Sequence, residues 1–145
     1  MGPTIGRRTV EEEKHTAHPN EEIVRQGYKA FGEGDMDTLR SLFEPDAVHN
    51  ATGNNPLSGE YKGIDDILAY YGKLFELSDG TFTAELKSVK AEGDDTVVAT
   101  HRNKAQRGDK TLDQDETLTF TILGGKFTRL VENHSDPAAN DAFWS

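Results

Sequence analysis

The stretch TVVATHRNKAQRGDKTLDQDETLTFTILGGKFTRLVENH, residues 96–134, decides the fold. Polar and apolar residues alternate along it with a period of two, which is typical of β-strands that bury one face. Short glycine turns at residues 108–109 and 124–125 divide it. Connections this short join antiparallel neighbours, so the segment predicts a meander. Its strands are expected near residues 96–106, 111–123 and 126–134.

Three segments with helical periodicity lie upstream of this meander. The first begins at Asn20 and ends at Gly34, a residue that can close a helix in the left-handed conformation. A shorter second helix follows and is expected to stop at Pro45. The third helix begins at Ile64, and a further alternating segment at residues 81–91 predicts a fourth strand.

The order of these elements predicts the fold class. Helices first and strands later favour an α+β fold in which the helices lie on one face of a curved sheet. Residues 46–63 are rich in Asn, Gly and Pro, and we expect a brief strand at residues 47–48 followed by a loop. The terminal segment, residues 136–145, can fold back over apolar surface or meet a partner.

The composition is that of a single folded domain with a tail. A chain of 145 residues with 34% hydrophobic content can bury one core of useful size. Residues 1–19 carry an acidic run and no apolar period, so they are predicted to form a flexible N-terminal tail. The folded domain is therefore expected to span residues 20–145.

Charge and cysteine content exclude several classes of function. The 26 Asp and Glu residues against 16 Lys and Arg give a net charge of -10, which repels phosphate backbones and anionic membranes. We therefore expect no nucleic acid and no membrane as partners. Without cysteine there are no disulfides, thiolate nucleophiles or cysteine metal sites. The longest apolar run, residues 67–71, is too short to span a bilayer, and a cytoplasmic protein is expected.

The strand phases decide which polar groups face the core. On the strand near residues 111–123, Glu116 shares a face with Leu118, whereas the opposite face carries Asp and Thr. The neighbouring strand turns His101 and Asn103 to the same side. Burial disfavours a charged carboxyl group unless donors or cations hold it. An inward acid beside an imidazole is therefore a candidate proton-transfer pair.

The last strand has two possible phases, because Leu130 and Val131 are adjacent. We favour the phase that turns Leu130, Glu132 and His134 inward over the phase that turns Val131 and Asn133 inward. The favoured phase places a second carboxyl group and a second imidazole in the core.

Each polar candidate also has a purely structural interpretation. Glu116 could pair with an Arg or Lys at the sheet edge, and His101 could be a hydrogen-bonded core residue. Asn50 stands where the predicted loop begins, and Asn is a common turn former. Tyr28 lies on the buried stripe of the first helix, where a tyrosine is more often packed than catalytic.

Two runs carry a family resemblance: FGEGDMDTLRSLF at residues 31–43 and PDAVHNATGNNPLSGEYKG at residues 45–63. With the long strands that follow, they resemble the nuclear transport factor two-like superfamily, and within it the SnoaL-like and ketosteroid isomerase-like branch. The resemblance covers residues 20–144. It implies a cone-shaped cystatin-like α+β barrel, a curved antiparallel sheet wrapped around three helices with an apolar ligand pocket, and a homodimer formed through the sheet. This fold hosts many reactions and plain binding modules, so it does not fix the function.

The resemblance also implies roles for single residues. The steroid isomerases carry a general-base aspartate at the position that Asn50 matches, and an amide cannot accept that proton. Their oxyanion-binding aspartic acid on the penultimate strand matches Glu116, and the tyrosine of their first helix has an approximate counterpart in Tyr28. In SnoaL-like polyketide cyclases the base is an acid deep in the pocket, which suits Glu116 beside His101 or His134.

These observations predict a pocket enzyme that isomerises or cyclises a small, largely apolar carbonyl compound, polyketide- or steroid-like. Glu116 is the expected general base or acid, His101 supports proton movement, and Asn50 orients a substrate oxygen. This chemistry needs no metal and no cofactor, and the sequence has no glycine-rich phosphate loop that would bind a nucleotide. The other candidates for substrate binding are Tyr28, His134, Glu132, Asn103, Leu118 and Leu130.

Two other classes of function stay open. A non-catalytic ligand-binding or dimerisation module of the same fold predicts that Glu116 pairs with Arg or Lys and that no cavity forms. An adaptor that binds a protein on its sheet predicts an exposed apolar patch near Phe127, Val131 and Trp144.

Overall fold

The computed structural model describes residues 18–145, which form one six-stranded sheet and four helices. Residues 1–17 of the predicted flexible tail lie outside the described residues. The helices are α1 (Pro19–Glu33), α2 (Met36–Leu42), α3 (Ile64–Leu77) and α4 (Pro137–Trp144). The strands are β1 (Phe43–Ala51), β2 (Gly59–Lys62), β3 (Thr83–Ala91), β4 (Thr96–Arg107), β5 (Lys110–Leu123) and β6 (Lys126–His134). The predicted α+β class is confirmed.

Helix α1 has the ends that its sequence favours, and it begins one residue earlier than predicted. Pro19 occupies the first turn, where its missing N–H is not needed. Nδ1 of His18 accepts a hydrogen bond from the backbone N–H of Asn20 at 3.1 Å. Gly34 ends the helix with φ 69°, and its N–H bonds to the carbonyl of Phe31 at 3.1 Å.

The segment between α2 and α3 contains more strand than the sequence predicted. Strand β1 spans nine residues and β2 four, where a brief strand and a loop were expected. Helix α2 ends before Phe43, and Pro45 lies inside β1 at a break in its pairing with β6. A strand tolerates proline there, because no ladder N–H is required.

The sheet order is β2-β1-β6-β5-β4-β3. Strands β3 to β6 form the predicted antiparallel meander. The β1–β6 pair is parallel, and β2 closes that edge as an antiparallel neighbour of β1. Helix α1 packs against β3 and β4, and α3 packs against β1, so the helices cover one face of the sheet.

The inward phases predicted for the last three strands are confirmed. Glu116 of β5 pairs in register with His101 of β4 on one side and with His134 of β6 on the other. In β6, Leu130 is 1% exposed, whereas Val131 is only half-buried. Three neighbouring strands therefore present polar side chains to the core at the same level.

The surface patch that the adaptor hypothesis required is absent from residues 18–145. Phe127 is buried against Phe43 and Phe120, and Trp144 is buried where α4 folds back onto Phe82. Leu123 is the large hydrophobic side chain that is exposed among the described residues. Within the same residues, no helix combines the length and apolar character needed to cross a membrane.

Gly27 of α1 packs under the ring of Phe127, and this contact yields a stability prediction. A Cβ at position 27 would lie 3.2 Å from Cε2 of Phe127, closer than carbon atoms normally pack. We expect Gly27→Val to lower the free energy of unfolding by about 2 kcal/mol, because the buried ring has little room to move. Urea unfolding followed by circular dichroism measures the change.

Gly32 supplies the matched control in the same helix. A Cβ there meets nothing within 4 Å, so Gly32→Ala should raise the free energy of unfolding by about 0.5–1 kcal/mol through the higher helix propensity of alanine. A Gly27→Val protein as stable as the wild type would contradict the close approach of α1 to Phe127.

Candidate functional site

A cavity of about 80 Å³ lies between the helices and the concave face of the sheet. Most of its wall is apolar. The apolar wall includes Val24, Phe31, Leu118, Phe120, Leu130 and Trp144. The polar side chains of the wall contact one another and form a single cluster.

Glu132 is the most heavily bonded member of this cluster. Its Oε2 accepts hydrogen bonds from the hydroxyl of Tyr70 at 2.6 Å and from Nε2 of His49 at 2.7 Å. Its Oε1 accepts from Nε2 of His134 at 2.9 Å. Burial alone would raise the pKa of Glu132, but the hydrogen bonds from His134 and His49 outweigh it and lower that pKa to about 2. Glu132 is therefore a buried, ionised carboxylate.

A tyrosine completes the chain that leads to Glu132. Nδ1 of His49 lies 2.9 Å from the hydroxyl oxygen of Tyr71. Burial, with the charge of Glu132 as a second cause, raises the pKa of Tyr71, so this hydroxyl keeps its proton. Since Nε2 of His49 donates to the carboxylate, Nδ1 accepts from Tyr71. Tyr71 therefore donates to His49, and His49 donates to Glu132.

A second tyrosine–histidine pair lies beside Glu116. The hydroxyl oxygen of Tyr28 lies 2.6 Å from Nδ1 of His101, and Nε2 of His101 lies 3.4 Å from Oε1 of Glu116. Burial, and then the charge of Glu116, raises the pKa of Tyr28, which keeps its hydroxyl protonated as a donor. Nδ2 of Asn103 donates to the same Oε1 at 2.6 Å.

The two carboxyl groups differ in how many donors hold them. Glu132 accepts hydrogen bonds from three side chains. Among the described residues, Glu116 accepts a hydrogen bond from Asn103 alone. Oε2 of Glu116 has no hydrogen bond to residues 18–145, and no Arg or Lys of this region pairs with it. Glu116 therefore keeps an oxygen available to a ligand in the cavity.

His134 stands between the two carboxyl groups. Its Nε2 bonds to Glu132, and its Nδ1 lies 3.9 Å from Oε1 of Glu116 without a hydrogen-bond partner among the described residues. Burial lowers the pKa of His134, but the hydrogen bond to Glu132 and the charges of Glu116 and Glu132 raise it by more. The imidazole is therefore held toward its protonated form.

Eight of the nine site residues predicted from sequence line the cavity. Their chemical roles stay predictions. The eight are Tyr28, His101, Asn103, Glu116, Leu118, Leu130, Glu132 and His134.

Asn50 is the exception and requires a correction. It was predicted to orient a substrate oxygen where a loop begins, but β1 continues through Ala51. Strand alternation then turns Ala47, His49 and Ala51 to the buried face and leaves Asn50 half-buried on the other. His49 takes the place in the cavity that was assigned to Asn50.

Sequence reasoning missed the functional positions of His49, Tyr70 and Tyr71. Tyr70 follows buried Ile67 by three residues and Tyr71 follows it by four, the spacings of one helical face, which was an available signal. For His49, the alternation Ala47-His49-Ala51 was the signal. It became readable only once β1 was recognised as a long strand.

A metal ion has fewer ligands here than the composition of the cluster suggests. Glu116, Glu132 and His134 each present a possible ligand atom, and these atoms lie within 4.8 Å of one another. Both oxygens of Glu132 are already occupied by hydrogen-bond donors. Glu116 and Nδ1 of His134 remain, which is fewer than the three protein ligands typical of catalytic zinc.

Comparisons with known proteins find relatives along most of the chain. The profile of the SnoaL-like domain matches residues 24–130. An uncharacterised protein of Mycobacterium tuberculosis is 38% identical over 124 residues, which cover 86% of this chain and 95% of that protein. Bal32a, from a soil-derived mobile gene cassette, has a TM-score of 0.84 at 38% identity, with 88% of this chain and 97% of that chain covered.

Further structures share the architecture. A protein of unknown function with a cystatin-like fold, from Xanthomonas campestris, has a TM-score of 0.81 at 30% identity and covers 87% of this chain and 98% of its own. A candidate SnoaL-like polyketide cyclase from Jannaschia has a TM-score of 0.71 at 19% identity, with coverages of 88% and 92%. The second likeness concerns the fold alone.

The Glu132–His134 pair predicts how stability depends on pH. The native pKa of His134 is raised above 6.5, so its stabilisation is complete below about pH 6.5 and is lost as pH rises through the native pKa. The pKa of Glu132 is lowered from 4.5 to about 2, so its contribution is complete above pH 4.5 and is lost as pH falls toward 2. Glu116 and Asp141 also face His134 and act in the same direction.

We expect Glu132→Gln to lower the free energy of unfolding by about 2 kcal/mol near neutral pH and to flatten both limbs of the profile. Urea unfolding from about pH 3 to about pH 9 measures this. Glu60→Gln is the control, because its exposed pair with Arg129 should contribute less than about 1 kcal/mol. A Glu132→Gln profile parallel to that of the wild type would contradict the assignment.

Proposed function

This chain belongs to the SnoaL-like domain family, as the sequence resemblance predicted, and from that premise we propose that it is an acid/base isomerase or cyclase acting on an apolar carbonyl compound. One observation carries the proposal. A buried carboxyl group, Glu116, faces a largely apolar cavity with one oxygen unoccupied by residues 18–145, beside an imidazole that a tyrosine holds in place.

The proposed chemistry begins with a proton on the carbon next to a carbonyl group. Oε2 of Glu116 takes this proton, and the electron pair of the broken C–H bond moves to the carbonyl oxygen to form an enolate. Where a double bond adjoins the enolate, return of the proton to the far carbon of that double bond gives isomerisation. Where the enolate carbon attacks a second carbonyl group of the substrate, a ring closes and the oxygen of that group takes the proton from Glu116. His101, held by Tyr28, stabilises the carboxylate between turnovers.

The environment of the two carboxyl groups supports Glu116 over Glu132 as the base. A general base works best when its pKa is near the working pH and an oxygen is open to the substrate. Glu132 has a pKa lowered to about 2 and three donors on its oxygens. Its role in the proposal is to position His49 and His134.

A non-catalytic ligand-binding module of the same fold is the second candidate. The hydrogen bonding of Glu132 favours this candidate. Both of its oxygens already accept hydrogen bonds, and a buried polar residue satisfied in this way can be purely structural. The surroundings of Glu116 favour the enzyme, since within residues 18–145 no Arg or Lys neutralises this group and a cavity lies beside it. The two candidates differ in whether Glu116 moves a proton.

Exchange of hydrogen for deuterium next to a carbonyl group tests the enzyme directly. We expect the wild-type protein in D₂O to accelerate exchange at the carbon beside the carbonyl in small aromatic ketones such as acetophenone, followed by proton NMR. Glu116→Gln should reduce this acceleration by about 10²-fold or more, because the amide cannot accept the proton. Circular dichroism and the unfolding midpoint check that the variant folds.

Asp115→Asn is the matched control on the neighbouring residue of β5. Asp115 lies on the opposite face, where it pairs with Lys87 and Arg102, so its variant should exchange at the wild-type rate. Exchange that survives in Glu116→Gln would reject Glu116 as the base. Ketones that bind the wild type without any exchange would reject the enzyme in favour of the binding module.

A further inference from the structure

Two buried polar atoms of the cavity wall lack hydrogen-bond partners among the described residues. They are Oδ1 of Asn103 and Nδ1 of His134. Asn103 is 2% exposed, and the side chain of His134 is 5% exposed. A buried polar atom without a partner destabilises the fold, because it has lost its hydrogen bonds to water. Because both side chains line the cavity, these atoms mark the place where a ligand completes the hydrogen bonding.

The hydrogen-bonding character of each atom follows from its neighbours. Nδ2 of Asn103 donates to the carboxylate of Glu116, so the other amide atom is an oxygen, which only accepts. Nε2 of His134 donates to the carboxylate of Glu132. Glu132 on one side and Glu116 on the other favour a proton on the second nitrogen of this imidazole, and a protonated nitrogen donates.

We propose that the ligand presents a carbonyl group with a hydroxyl group on the neighbouring carbon, an α-hydroxyketone. The carbonyl oxygen accepts from Nδ1 of His134, and the hydroxyl group donates to Oδ1 of Asn103. This inference rests on the proposed function and names the substrate class for the same cavity. A simple ketone satisfies His134 alone and leaves the oxygen of Asn103 without a donor.

Charged ligands fit the cluster less well. A carboxylate would approach Glu116 and Glu132, and like charges repel strongly where water is excluded. An ammonium group has only donors, so it would leave the donor of His134 without an acceptor. A neutral ligand that offers one acceptor and one donor on adjacent atoms avoids both costs and satisfies both wall atoms.

The same placement brings the ligand to Glu116. Nδ2 of Asn103 lies 2.6 Å from Oε1 of Glu116, and Nδ1 of His134 lies 3.9 Å from it. The carbon that bears the hydroxyl group is also the carbon next to the carbonyl. Its proton is therefore the one offered to Glu116.

Binding of three matched ketones tests the inference: 2-hydroxyacetophenone, acetophenone and 2-methoxyacetophenone. Trp144 is the single tryptophan of the sequence and lines the cavity, so quenching of its fluorescence reports binding, with calorimetry as confirmation. We expect the wild type to bind the hydroxyketone about tenfold more tightly than the other two, the effect of one added hydrogen bond to a buried group. The methoxy compound separates the donor from the mere presence of an oxygen.

Two variants assign the preference to the two wall atoms. Asn103→Leu should bring the affinities of the hydroxyketone and the ketone within about twofold of each other, because the acceptor is gone. His134→Gln keeps an amide near Glu132 and removes Nδ1, so it should weaken all three ketones by a similar factor. Asn133→Leu, the same substitution on the exposed face of β6, should keep the wild-type preference.

Equal affinities of the three ketones for the wild type would overturn the inference, since a bound water would then satisfy both wall atoms. A preference that persists in Asn103→Leu would overturn it as well, and so would affinities for the three ketones that His134→Gln leaves unchanged. The proposed function fails separately. Selective binding of the hydroxyketone without hydrogen exchange removes the catalytic step alone, and exchange without selectivity removes the α-hydroxyketone alone.

Discussion

The ionised carboxylate of Glu132 is the interaction on which the site depends. A buried charge costs several kcal/mol unless donors surround it, and here the donors come from three elements. His49 belongs to β1, Tyr70 to α3 and His134 to β6. Because these three side chains bond to one carboxylate, they hold the helix layer at a set distance from the sheet. The same contacts shape the apolar cavity beside Glu132.

A tyrosine–histidine–glutamate arrangement occurs twice in this pocket, and the two carboxyl groups differ in how many hydrogen bonds they accept. Tyr71 and His49 lead to Glu132, and Tyr28 and His101 lead to Glu116. The two chains differ at their ends, where Glu132 collects further donors and Glu116 keeps an oxygen open within the described structure. His134, placed between the two, couples them.

Family membership contributes the architecture, and the side chains contribute the chemistry. The SnoaL-like relatives share the curved sheet and helix layer, but one fold supports several functions. The correction at Asn50 illustrates this. Matching the family pattern along the sequence pointed to Asn50, whereas the strand phase of β1 turns the adjacent His49 into the cavity. A shift of one residue in a strand changes the face and therefore the chemistry.

The sequence by itself determined the elements with strong periodicity: α1, α3, the meander, and the inward phase of Glu116, His101 and His134. These follow from local rules, because alternation and helical spacing are written in neighbouring residues. Only the tertiary structure decided the parallel pairing of β1 with β6, and with it the burial of His49 against Glu132 and Tyr71. Contacts between segments far apart in the chain depend on how layers pack, and no local pattern encodes the distance between two such side chains.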